Sequence, residues 1–173
     1  MTETSTLTAE RADLLETLAA HRYFLRHTVQ GLTDEQGRQR TTVSELTLGG
    51  LIKHVAQTEE KWAQFIVEGP AAMAAPSDPA GYEAWANGHR LLPDETLDGA
   101  LTRYAEVAAR TDELVRTLPD LDASHPLPEA PWFEPGARRS ARRAFLHIIA
   151  ETAQHAGHAD IIREALDGQK TMG

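Results

Sequence analysis

Glu151 and His155 stand four residues apart in the run His147-Ile-Ile-Ala-Glu151-Thr-Ala-Gln-His155-Ala-Gly-His158, which reads as continuous helix. At about 100° per residue, Ala144, Ile148, Ile162 and Leu166 trace one apolar stripe. Glu151 and His155 fall inside that stripe, and His147 and His158 fall at its edge. A carboxylate and an imidazole on a core-facing stripe need partners, because burying polar groups alone is costly. A divalent metal satisfies both at once, since Glu and His at i and i+4 project side by side. His54 adds a second imidazole on the core side of another long helix, among Leu51, Val55, Trp62, Phe65 and Ile66. Three inward ligands leave a fourth tetrahedral position open, the pattern of a catalytic zinc site rather than a closed structural one. His147 and His158 compete for membership, because His147–Glu151 is an i, i+4 pair and His155–His158 an i, i+3 pair. His158 reads otherwise as a group supporting a ligand or facing the substrate. His21, His27, His89 and His125 read as surface histidines.

The elements that must position these residues are helical. The first helix is expected over about Thr8–Gln30, capped by Thr8 and closed by Gly31. Thr47 caps a second over Leu48–Glu68, stopped by Gly69-Pro70. After the Ala/Pro-rich stretch 71–79 come a short helix over Ala80–Leu92 and a long one over Glu95–Leu118. Residues 119–136 carry five prolines and are the least regular part. The last helix spans Ser140–Leu166 and ends near Asp167-Gly168, with Gly suited to the C′ position. There is no convincing strand. Four long helices and a short one make an all-α bundle, a fold that places sites between facing helices, in one domain over residues 1–173.

Composition narrows the function. The net charge is −9, from 26 acidic and 17 basic residues, which argues against nucleic acid as a partner. There is no cysteine, so disulfides and a thiol nucleophile of the chain's own are excluded. Any metal is therefore held by His and carboxylates. The polar opening Met1–Thr6 has no apolar run after it and gives no signal peptide. No stretch approaches the ~20 apolar residues of a membrane span, so the cytoplasm is the expected location.

The helix Glu151-Thr-Ala-Gln-His155-Ala-Gly-His158-Ala-Asp160-Ile-Ile-Arg163-Glu164 resembles the C-terminal signature of the DinB-like metal-binding helical bundles. In particular it resembles their actinobacterial branch, which includes mycothiol-dependent maleylpyruvate isomerase and the mycothiol S-transferases. Leu51-Ile-Lys-His54-Val-Ala-Gln-Thr-Glu59-Glu-Lys-Trp62 resembles that family's second helix. The resemblance covers nearly the whole chain in helix order. It implies an up-down-down-up four-helix bundle with a metal, zinc or sometimes nickel, on His54, Glu151 and His155. It also implies mycothiol, or another small thiol, as co-substrate, whose sulfur would take the open position as thiolate. The isomerase's extra C-terminal domain has no counterpart here.

The expected function is a metal-dependent thiol transferase acting on small electrophiles, a detoxification chemistry. The alternative is a non-catalytic bundle whose metal has a structural or stress-related binding role. Asp160 and Arg163, beyond His155, are candidate cofactor contacts or else surface ion-pair residues. Arg138, Arg139, Arg142 and Arg143 cluster where the last helix begins, against its dipole, and suggest either an anion site or a solvated face paired with acids. Pro131-Trp132-Phe133 could wall the metal pocket or pack over the bundle end. Apolar residues spilling over more than one face of the first helix point to a homodimer.

Overall fold

The computed structural model describes residues 7–131 and 133–171. Met1–Thr6, on which the expectation about a leader rests, and the loop aromatic Trp132 lie outside the described residues. Six helices follow in order: α1 (Ala9–His27), α2 (Asp34–Arg38), α3 (Leu48–Glu68), α4 (Pro79–Ala86), α5 (Leu97–Thr117) and α6 (Ala141–Asp167). Each long helix starts on a hydroxyl cap. Thr8, Thr47, Thr96 and Ser140 accept from the backbone N–H three residues on, satisfying an orphan donor of the first turn. Gly69 and Gly168, at φ 74° and 80°, end α3 and α6 with positive φ that favours glycine.

Side-chain contacts fix the directions of the four long helices. Arg142 and Glu10, near the starts of α6 and α1, form an ion pair, and Arg163 near the end of α6 donates to the carbonyls of Thr28 and Gln30 just past α1. These two helices are parallel. Lys53 early in α3 pairs with Glu95 just ahead of α5, and Glu60 pairs with Arg103 and Arg110, so α3 and α5 are parallel too. Trp62 against His147 and His54 against His155 make α3 and α6 antiparallel. Arg11 donates to the carbonyls of Val115 and Leu118, so α1 and α5 are antiparallel as well. The result is an all-α up-down-down-up bundle.

Two apolar clusters fill it. One gathers Leu51, Val55, Tyr104 and Ile162, and the other gathers Trp62, Phe65, Phe145 and Ile148. Between them each long helix contributes a buried polar residue: Arg22, Glu59, Thr111 and Thr152. Arg22 joins this layer together, holding Glu59 through Nε at 3.2 Å and Asp112 through Nη1 at 2.7 Å.

The structure departs from the sequence expectations in the connections. α2 was not foreseen; Thr33 and Gln36 close a reciprocal capping box around its five residues. A two-stranded hairpin, β1 (Ser124–Pro126) with β2 (Arg138–Ser140), corrects the expectation that the chain has no strand. The short fourth helix ends at Ala86, six residues early, and a 3-10 turn, Asn87–His89, follows it. Glu95 is not helical; its carboxylate turns back to accept from the Leu92 N–H at 2.8 Å.

Candidate metal centre

The structure brings His54, Glu151 and His155 together. One ligand atom from each lies within 4.8 Å of the other two. The Glu151 Oε2–His155 Nε2 distance is 3.6 Å, close to the ~3.4 Å between two donors on a tetrahedral ion with bonds of ~2.1 Å. The donor set of two imidazoles and a carboxylate fits a borderline-soft divalent cation. Burial pushes the His54 imidazole down to about 4, helped by the neighbouring His89 and His155. Burial also lowers His155, with His158 and His89 adding to it. Both rings are thus neutral near pH 7, the protonation state a metal requires.

The site sits to one side of the core stripe rather than within it. The buried line of α6 runs through Ala144, Ile148, Thr152, Ala156, Ala159 and Ile162. Glu151 and His155 flank it, with 29% and 14% of their side chains exposed, so a solute can reach them. His158 is drawn in, its Nδ1 3.3 Å from His155 Nδ1. His155 thereby turns Nε2 toward Glu151 and Nδ1 toward His158. His147 meets the other Glu151 oxygen, Oε1, at 3.6 Å, and its ring packs at 4.6 Å on Trp62.

Asp160 and Arg163 are not brought into the cluster. Asp160 accepts from the Thr171 N–H. Arg163 is buried and spends its donors on the carbonyls of Thr28 and Gln30, on Asp167 and on Gln169, fastening the end of α6 to the end of α1. Phe133 packs on the apolar cluster at the bundle end.

His89 lies at the surface, as read from the sequence, yet it also reaches the cluster. Although exposed, its ring stacks 3.9 Å from that of His54. It arrives there because the crossover from α3 to α5 lies directly on α3: a Cβ at Gly50 would stand 2.0 Å from the His89 carbonyl oxygen. Only glycine permits that approach. A cavity of about 390 Å³ opens beside the two rings, lined by Gln57, Lys61, Gln64 and Trp85 among others. That is room enough for a small ligand. A larger groove of about 1080 Å³ between α1 and α5 includes none of the three clustered residues.

The fold is an up-down-down-up helical bundle with a partly buried His/Glu/His cluster between antiparallel helices, the place where such bundles build their sites. The sequence profile of the mycothiol-S-transferase family matches residues 13–168, from the first turns of α1 to the C-cap of α6, and the chain belongs to that family. No curated protein matches it. None of the helices among the described residues is long and apolar enough to cross a membrane.

Proposed function

We propose that the chain is a metal-dependent transferase that joins the sulfur of a small thiol, mycothiol, to small electrophiles in the cytoplasm. The observation that carries this is the convergence of His54, Glu151 and His155, with ligand atoms within 4.8 Å of one another. A zinc or nickel ion there would hold the sulfur of a thiol as thiolate at neutral pH. The protein's own groups do the rest. His54 and His155 donate neutral nitrogens from two helices, Glu151 supplies the negative charge, and His158 holds the His155 ring. The absence of cysteine makes a borrowed sulfur necessary. Family membership supports mycothiol as its source. Exposed Tyr23 on α1 supports assembly as a homodimer, which sedimentation checks.

The test has two arms. The wild-type chain should hold one equivalent of divalent metal, and His155→Ala should hold much less. Consumption of a halo-dinitrobenzene should require both metal and thiol and should run faster with mycothiol than with glutathione. A full equivalent of metal in His155→Ala overturns the ligand set. A cobalt-substituted protein with no sulfur-to-metal charge-transfer band on adding mycothiol overturns the thiol chemistry.

A further inference from the structure

The four arginines around the start of α6 differ in what they touch. Arg138 donates to the Ser124 carbonyl at 2.6 Å and hydroxyl at 3.2 Å. Arg142 pairs with Glu10 and Asp122, and Arg143 is exposed. Arg139 is different. It stands opposite His125 in the hairpin, so its side chain leaves the ladder on the other face from that of Arg138. Its guanidinium lies over the rings of Trp62 and Phe133, at 4.7 Å and 5.4 Å from their centres. Its Nη1 is buried and has no hydrogen-bond partner among the described residues. Nor does any carboxylate among them lie within ion-pair distance of it.

Aromatic rings satisfy the faces of a guanidinium but not its edge, where the N–H donors point. A buried charged donor without an acceptor is an expensive arrangement. Burial, with Arg143 nearby, accordingly lowers the affinity of Arg139 for its proton. The edge of a guanidinium is a planar fork that matches the two oxygens of a carboxylate. Its location links it to the metal centre. The Trp62 ring beneath it also packs 4.6 Å from His147, and His147 Nε2 is 3.6 Å from Glu151 Oε1. The unpartnered Nη1 and the metal cluster thus share one wall, built from Trp62 and His147. On a chain of net charge −9, an anionic substrate meets unfavourable long-range steering and needs such a local cation.

We propose that Arg139 is a carboxylate-binding subsite of the transferase centre: the electrophiles served carry a carboxylate, held on the Arg139 fork while the reactive carbon faces Glu151 and His155. This rests on the transferase function above. With 4-chloro-3-nitrobenzoate as probe, the thiol sulfur forms a bond to the ring carbon and the carbon–chlorine bond breaks. Chloride leaves with the bonding pair, and the thiol proton passes to solvent.

Calorimetry of 4-nitrobenzoate with the zinc-loaded full chain, without thiol, reads the subsite directly. Arg139→Gln should weaken binding by roughly tenfold to a hundredfold, the span for losing a hydrogen bond to a charged group. Arg139→Lys, which keeps the charge, should fall between, and Arg143→Gln should match the wild type. In turnover, Arg139→Gln should raise KM for 4-chloro-3-nitrobenzoate at unchanged kcat and leave its methyl ester unaffected. Equal binding in wild type and Arg139→Gln overturns the subsite, as does an equal loss in Arg143→Gln. If the wild type binds the carboxylate through Arg139 but consumes neither chloride with thiol, the subsite stands and the transferase function falls.

Discussion

Glu151 turns its two oxygens toward different imidazoles, Oε2 to His155 and Oε1 to His147, each at 3.6 Å. Helix spacing alone cannot choose between them, since both lie four residues away. The partner helix chooses: His54 brings its ring within 4.9 Å of His155, while Trp62 occupies His147. The Glu151–imidazole pairing and His54 opposite it were therefore legible in the sequence, while packing on α3 sets His155 rather than His147 beside His54. His158 touches His155 through its Nδ1. Its contact with His155 Nδ1 orients the ring, so His158→Ala should retain the site but lower metal affinity by roughly tenfold to a hundredfold. Competition with a chromogenic chelator measures this, and an unchanged affinity would remove the role.

The parallel pairing of α3 and α5 forces the longest connection. α3 has 21 residues, about 31 Å of rise, and the chain must travel back along it before α5 can start. That return carries α4 and the 3-10 turn, and it lays His89 over His54. Nothing in the local pattern around Asn87-Gly-His89 announces this, because the approach depends on Gly50, far away in sequence. The hairpin was hidden for the same reason, whereas the Thr33–Gln36 capping box was a local signal for α2. Elements this short lack a period and owe their form to what they pack on. The long helices were legible because their caps and apolar spacing are local. Gly50→Ala should lift the turn from α3 and destabilise the fold by about 1–3 kcal/mol, as overpacking does. Denaturant unfolding measures the cost. Loss of the mutual ring-current shifts of His54 and His89 would show the displaced turn, and unchanged shifts would contradict it.

Across the whole molecule, the layer of Arg22, Glu59, Thr111 and Thr152 divides the apolar interior in two. Glu59 sits in the run Gln57-Thr58-Glu59-Glu60-Lys61, where four polar neighbours hide its inward direction. Helical spacing nonetheless sets Glu59 on the core side, four residues after Val55 and three before Trp62, and Arg22 on another helix explains how its charge is tolerated there. Removing one charge of a buried pair strands the other, so Arg22→Met should cost about 3–5 kcal/mol. Adding Glu59→Leu should recover much of that loss, because an apolar replacement of both partners is often neutral. Equilibrium unfolding of the two variants decides it; a double variant less stable than Arg22→Met would show that the layer is not a simple pair.

The three clustered residues have a consequence beyond chemistry. His54 lies in the first third of the chain, and Glu151 and His155 lie near its end. An ion held between them is a reversible crosslink that closes most of the polypeptide into one loop, and the unfolded chain has no such site to offer. By mass action, free metal at a thousand times its dissociation constant would add about 4 kcal/mol to the folded state. The melting temperature should therefore climb with free zinc in the wild type and stay flat in His155→Ala. Metal supply would then set the amount of folded protein as well as its activity.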